Sequence, residues 1–94
     1  MSTYKASTVN DIKGQVIGIV CDAFAGCETL VAIEEAKEAA VTRCLQGIKA
    51  MQAAEVFTKE EIEHIADFST GYIELVKSKT KERVVEKLRD AFQF

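Results

Sequence analysis

The sequence predicts an all-α protein, and three observations favour that fold class. The 94 residues include no proline and only five glycines, so the turn-forming residues that an all-β fold needs are scarce. Apolar residues recur at spacings of three and four over three long segments. Alanine, the strongest helix former, is frequent in the second segment. We therefore expect one helical domain, residues 9–94, preceded by a flexible N-terminal arm, residues 1–8.

The overall composition is that of a globular domain, with 48% hydrophobic and 29% charged residues. The longest apolar stretch, residues 16–25, is interrupted by Asp22 and is much shorter than the roughly 20 residues of a membrane span. The first residues lack the apolar core of a signal peptide. We therefore predict a cytoplasmic location and no membrane contact.

The first predicted helix covers about residues 9–25. Thr8 and Asp11 fit a capping box at its start. One face of this helix is apolar, and we expect the nearly opposite face to be covered as well, because small side chains let another backbone approach closely. Residues 15–21 are rich in β-branched side chains, so a strand is the alternative. The small-residue face consists of Gly14, Gly18, Cys21 and Ala25.

The second predicted helix covers about residues 28–54 and follows a turn at Gly26. Glu34 and Lys37 lie at the edge of its apolar stripe, where a spacing of three residues allows them to pair. The stripe consists of Leu30, Ile33, Ala40, Val41, Cys44, Leu45, Ile48 and Met51.

The third predicted helix covers about residues 59–92 and starts at a capping box formed by Thr58 and Glu61. Its apolar period continues past residues 78–80, so one long helix is favoured over two shorter ones. An unbroken helix is about 50 Å long, more than a compact monomer of this size needs. We therefore predict a three-helix bundle, or four helices if the last one breaks, assembled as a homodimer. The apolar residues near the C-terminus that need a partner are Val85, Leu88, Phe92 and Phe94.

Signatures of catalysis are missing from the sequence. Cys21, Cys27 and Cys44 have no C-x-x-C spacing and are interpreted as small apolar residues. Nucleotide-binding and nucleophile motifs are absent, and the chain has a single histidine. We therefore predict no cofactor and no enzymatic activity.

One alternative function is metal binding. Glu61 and His64 match the Glu-x-x-His pattern with which di-iron bundle proteins place two ligands on one helical face. The capping box already explains Glu61, so a solvated acidic first turn is the competing interpretation.

A second alternative is DNA binding, because charge is unevenly distributed. Residues 1–76 carry six basic and twelve acidic residues, whereas residues 77–94 carry six basic and three acidic residues. Residues 58–76 loosely resemble a helix-turn-helix with its turn at residues 69–71, and residues 72–89 would then contact phosphates. The net charge of −3 weighs against this hypothesis. Its candidate contacts are Lys77, Lys79, Lys81, Arg83, Lys87 and Arg89.

The preferred hypothesis is a non-catalytic, homodimeric helical module for protein–protein interaction, such as a small adaptor, inhibitor or regulatory subunit. Its expected partners are a second copy of the chain and another, unidentified protein. The expected interface combines the small-residue face of the first helix with the apolar residues near the C-terminus.

Overall fold

The computed structural model describes residues 8–93 and consists of three helices that pack against one another. Helix α1 spans Val9–Phe24, α2 spans Leu30–Ala54, and α3 spans Lys59–Ala91. The predicted all-α bundle with a long C-terminal helix is confirmed. Residues 15–21 lie inside α1, so the strand alternative is wrong, and α3 continues without a break through residues 78–80.

Side-chain caps fix where the helices begin. At the start of α1, the N–H of Thr8 donates to the Asp11 carboxylate at 3.0 Å, and the N–H of Asp11 donates to the Thr8 hydroxyl at 3.2 Å. The same reciprocal pair joins Thr58 and Glu61 at the start of α3, so both predicted capping boxes are confirmed. Helix α2 begins two residues later than predicted, after the N-cap Thr29. Thr8 is therefore part of the α1 cap, and residues 1–7 of the predicted arm lie outside the described residues.

Both interhelical turns contain a residue with left-handed backbone. Gly26, with φ of 76°, follows α1, as the sequence predicts. Glu55, with φ of 56°, ends α2 in a conformation that side chains other than glycine and asparagine seldom adopt. These turns reverse the chain twice, so α1 and α3 run in the same direction and α2 runs opposite to them.

The core lies between one face of each helix, and three of the four buried residues on its α2 side are small. Ala36, Ala40 and Cys44 are buried there, which lets the other two helices approach α2 closely. Leu30 and Leu45 are 45% and 50% exposed, although the sequence predicts them in the buried stripe. The apolar stripe of α2 is wider than the area that the other two helices cover, so residues at its outer edge remain exposed. The other core residues are Val16, Val20, Phe24, Cys27, Ile33, Ile65, Ile73 and Val84.

Two hydroxyl groups in the middle of α3 are satisfied within the helix. Ser69 is 3% exposed and donates to the carbonyl of Ile65 at 2.7 Å, and Thr70 donates to the carbonyl of Ala66 at 3.0 Å. Each hydroxyl bonds to the preceding turn, and the helix runs through residues 69–71 without interruption.

Polar and aromatic contacts join α1 to α3 on one side of the bundle. The Cys21 thiol and the Tyr72 hydroxyl are 3.6 Å apart. The Lys13 ammonium lies 5.2 Å from the centre of the Phe68 ring, and that ring stacks on Tyr72 at 5.8 Å. This side of α3 is therefore occupied by α1.

The bundle is elongated because its helices differ in length, with 16, 25 and 33 residues. It measures 66 × 18 × 18 Å and has a radius of gyration of 16.4 Å, against about 12 Å for a compact domain of this length. The Arg83 guanidinium donates to the carbonyl of Cys27 in the α1–α2 turn, so α3 extends past both other helices after Val84. Among residues 8–93, no helix is both long enough and apolar enough to cross a membrane.

We expect Ala40→Leu to lower the free energy of unfolding by about 1–3 kcal/mol, because Ala40 is fully buried where the three helices meet. The matched control is Ala39→Leu, which adds the same side chain to an exposed position of the same helix and should change stability by less than about 0.5 kcal/mol. Urea unfolding followed by circular dichroism measures both values. Equal effects would contradict the assigned core.

Candidate interaction surface

An open groove separates the middle of α2 from the first half of α3. Its volume is about 350 Å³, and its walls are mainly apolar. Val41 and Leu45 form the α2 wall and are 37% and 50% exposed, and the half-buried Ala66 lies on the α3 wall. We refer to this depression as the α2–α3 groove. Its lining is Lys37, Val41, Cys44, Leu45, Ile48, Ala66, Ser69, Thr70, Ile73 and Glu74.

Two ion pairs cross from α2 to α3 next to this groove. Lys77 Nζ lies 3.0 Å from Glu34 Oε2, and Lys37 Nζ lies 3.7 Å from Glu74 Oε2. The predicted pairing of Glu34 with Lys37 is therefore wrong, because each side chain reaches a partner of opposite charge on the neighbouring helix. The hydrogen bond from Lys77 and its charge lower the pKa of Glu34, and the same contact raises the pKa of Lys77.

The C-terminal apolar residues continue the edge of α3 that lines the groove. Val85 is half-buried, and Leu88 and Phe92 are 44% and 77% exposed; Phe94 lies outside the described residues. Spacings of three and four residues place these side chains in one row with those of the groove. We call this row the α3 stripe. It consists of Lys59, Glu63, Ala66, Thr70, Glu74, Lys77, Lys81, Val85, Leu88 and Phe92.

A second depression lies next to the α3 stripe, near the turn between α2 and α3. It has a volume of about 490 Å³ and includes the half-buried Phe57 and Ile62. Together with the groove, the ion pairs and the stripe, it forms a single surface along the length of the bundle. We call this surface the α2–α3 face.

Charge along α3 and the turn before it is strongly polarised. Residues 55–67, around the turn between α2 and α3, carry five acidic residues and one lysine. Residues 77–91, in the last part of α3, carry six basic and three acidic residues. Since these segments include opposite ends of a 33-residue helix, about 50 Å long, α3 is acidic near its start and basic near its end. The basic segment lies beside the start of α2, where Glu34 pairs with Lys77.

The small-residue face of α1 is a different surface. Gly14, Gly18, Cys21 and Ala25 are all exposed, and a Cβ atom added to Gly14 or Gly18 would meet no other atom within 4 Å. The prediction that this side of α1 is covered is not met within the chain: only Cys21, at its edge, contacts α3, through the Tyr72 hydroxyl. The small residues and the C-terminal apolar residues are therefore not brought together in one interface.

Placement of the basic residues changes the DNA-binding hypothesis. The predicted turn at residues 69–71 is wrong, because those residues are part of the continuous α3. Lys77 is paired with Glu34, and Arg83 donates to the Cys27 carbonyl. The exposed basic residues of this segment are Lys79, Lys81, Arg83, Lys87 and Arg89.

The two candidate metal ligands lie on the first turns of α3. The Glu61 carboxylate accepts a hydrogen bond from the N–H of Thr58 at 2.9 Å, and His64 is exposed. Among residues 8–93, the structure contains no group of three histidine, cysteine, aspartate or glutamate side chains close enough to hold a metal ion. The capping box explains why a glutamate stands at position 61.

The three thiols have different surroundings. Cys27 and Cys44 are buried, and Cys27 contacts the carbonyl of Ala32 at 3.6 Å. Burial raises the pKa of the Cys44 thiol. Cys21 is exposed on the small-residue face. Only two of the three cysteines are therefore the buried apolar residues that the sequence suggests.

Sequence reasoning assigned Val41, Leu45 and Ile48 to the core and so missed the α2 wall of the groove. The signal that could have found this wall is the width of the apolar stripe, which is broader than one helix contact covers.

No protein-family model matches the chain, and no curated protein or solved structure shows significant similarity to it. The role of the α2–α3 face is therefore inferred from the residues that form it.

The Glu34–Lys77 pair should make stability depend on pH. Because the pKa of Glu34 is lowered in the folded state, the pair stabilises the fold at neutral pH, and this contribution is lost as the pH falls through that lowered pKa. We expect Glu34→Gln to be less stable than the wild type at neutral pH and equally stable in acid. Urea unfolding over a pH series measures the difference, which should be absent for the exposed neighbour Glu35→Gln.

Thiol reactivity should distinguish Cys21 from the other two cysteines. We expect an aromatic disulfide reagent to modify one thiol per chain rapidly, because the thiolate is the reactive form and burial excludes the reagent from Cys27 and Cys44. The variant Cys21→Ser should lack the fast phase, which is followed by absorbance. A slow reaction of Cys21 in the native protein would mean that the small-residue face is covered in solution.

Proposed function

We propose that this chain is a non-catalytic protein-interaction module that binds a basic amphipathic helix along its α2–α3 face. The observation that carries the proposal is the α2–α3 groove, an apolar depression of about 350 Å³ between two parallel walls of helical side chains. Grooves of this kind accept the apolar side of a helix whose anchor residues are three or four positions apart. An adaptor, an inhibitor and a regulatory subunit all work by such docking.

Apolar contact supplies the affinity in this proposal. Val41 and Leu45 remain 37% and 50% exposed on the α2 wall, beside the half-buried Ile48. A fully buried leucine side chain is worth about 1.5–3 kcal/mol relative to an exposed one, so covering this wall favours binding. Val41 and Leu45 lie one helical turn apart and form a continuous apolar patch, which is typical of an interaction site, whereas exposed residues such as Val31 do not line the groove.

Charge selects the kind of helix that binds. The groove leads towards residues 55–67, which carry five acidic residues and one lysine. An acidic surface accelerates the approach of a positively charged partner and disfavours a negatively charged one. The preferred ligand is therefore a helix with apolar anchors on one side and lysine or arginine around them.

A cytoplasmic location is consistent with this proposal, because Cys21, Cys27 and Cys44 are all free thiols, which persist in a reducing compartment. The DNA-binding alternative has lost its helix-turn-helix geometry, and it remains a prediction about the exposed basic residues of α3 alone.

The test uses a fluorescently labelled model peptide that repeats leucine at helical spacings among lysines, with a glutamate version of the same peptide as the control ligand. We expect the lysine peptide to bind, in an anisotropy titration, much more tightly than the glutamate peptide. Leu45→Ser should weaken binding at least about tenfold, because it removes apolar contact from the groove wall without adding a charge that attracts lysine.

The matched protein control is Val31→Ser, which makes a similar polar replacement on the same helix at a site that is 69% exposed and does not line the groove. It should bind the lysine peptide as the wild type does. Equal weakening by both variants would show that the groove is not the binding site, and the proposal would be rejected. Binding to duplex DNA that Leu45→Ser leaves unchanged would favour the DNA alternative.

A further inference from the structure

We propose that the helix which occupies the α2–α3 face is α3 of a second copy of this chain, docked antiparallel to the first. The inference rests on the proposed function and names its partner. The last part of α3 has the character that the face selects: six basic residues in the segment 77–91, with Val85 and Leu88 as apolar anchors and Phe92 just beyond them. The same chain thus carries both the groove and a helix that fits it.

The α3 stripe is symmetrical about the midpoint between Glu74 and Lys77. Its spacings of four and three residues are the same whether they are counted from the N-terminal or from the C-terminal end. When two α3 helices lie antiparallel across this midpoint, each stripe residue therefore faces a stripe residue of the other copy. The facing pairs are Glu74 with Lys77, Thr70 with Lys81, Ala66 with Val85, Glu63 with Leu88, and Lys59 with Phe92.

Charge distinguishes this arrangement from a parallel one. In the antiparallel register, Glu74 faces Lys77 of the other copy twice, and no stripe residue faces a like charge. In a parallel register, Glu74, Lys77 and Lys81 would each face their own copies, and like charges in contact disfavour association. The charges at the centre of the stripe are therefore complementary in one direction only, and the contact between copies adds to the pairs that Glu74 and Lys77 already form with Lys37 and Glu34.

Apolar contact follows from the same register. Val85 of one copy reaches the groove at Ala66 of the other, and both positions are about 14 Å from the midpoint at 1.5 Å per residue. Phe92, which is 77% exposed in the single chain, reaches the depression that contains Phe57 and Ile62. The segment of α3 that extends past the other helices thus gains the neighbours that it lacks in one chain.

The charges near the two ends of α3 are also complementary between the two copies. Antiparallel docking brings residues 77–91 of each copy, with their net positive charge, to residues 55–67 of the other, with their net negative charge. This contact occurs twice in a symmetric dimer, because a two-fold axis repeats every interaction. Exposed charges are screened by salt, so the dimer should weaken as the salt concentration rises.

The register is tested by disulfide formation between full-length chains that carry Cys21→Ser, which removes the exposed native thiol. Thr70→Cys and Lys81→Cys are both exposed sites that face each other only in the antiparallel register. Mixing a tagged Thr70→Cys chain with an untagged Lys81→Cys chain under mild oxidation should give a mixed dimer on a non-reducing gel. Either chain alone should give much less, and Leu75→Cys, on the α1 side of α3, should give none.

The contact surface is tested by sedimentation equilibrium of the full-length protein. We expect a dimer for the wild type and at least about tenfold weaker association for Leu88→Glu, because a charge replaces an apolar anchor at two symmetric positions. The matched control is Leu75→Glu, a leucine that is 49% exposed, against 44% for Leu88, on a different side of the same helix. It should dimerise as the wild type does, and circular dichroism confirms that both variants fold.

Several outcomes overturn the inference. A wild type that stays monomeric at every concentration, a dimer that Leu88→Glu leaves intact, or crosslinking of Thr70→Cys chains to each other in place of the mixed pair would each reject it. If self-association fails while the lysine peptide still requires Leu45, the proposed function stands and its partner is another protein. If peptide binding also fails, both proposals are rejected.

Discussion

The unequal lengths of the three helices determine most of what lies on the surface of this protein. With 16, 25 and 33 residues, they are about 24, 38 and 50 Å long. The shortest helix can cover only part of the other two, so α2 and α3 pack as a pair at one end and α3 continues alone at the other. The exposed end of α3 follows from this difference in length, whereas no α1 residue lines the α2–α3 groove although α1 contacts Phe68 and Tyr72 in the same part of α3.

The small residues of α2 add a second constraint. Ala36, Ala40 and Cys44 form most of the buried side of the helix, which also includes Ile33, and Val41 and Leu45 lie at its edge. Side chains of that size would have been buried in a wider bundle. The distribution of small and large side chains on α2 therefore accounts both for close packing at the centre of the bundle and for the apolar groove at its edge.

Local features of the fold could be predicted from the sequence, whereas features that depend on helix register could not. The caps at Thr8 and Thr58 and the continuous α3 were predictable, because they depend on residues three or four positions apart. The pairing of Glu34 with Lys77 could not be predicted, since the periodicity of each helix does not show which turns of two helices lie side by side. For the same reason, the wide apolar stripe of α2 could be identified but not divided into its buried part and the groove wall.

The proposed antiparallel dimer accounts for two properties that an isolated chain leaves unexplained. Separation of acidic and basic residues to opposite ends of α3 brings little stability within that helix, because screening weakens interactions between charges tens of ångströms apart. The exposed aromatic side chain of Phe92 brings none either, because nothing in the described part of the chain covers it. A second copy lying antiparallel along α3 would bring the acidic start of each α3 to the basic end of the other and would cover Phe92. The facing of Glu74 with Lys77 and of Ala66 with Val85 about one midpoint is the reason to prefer a copy of this chain over an unrelated partner.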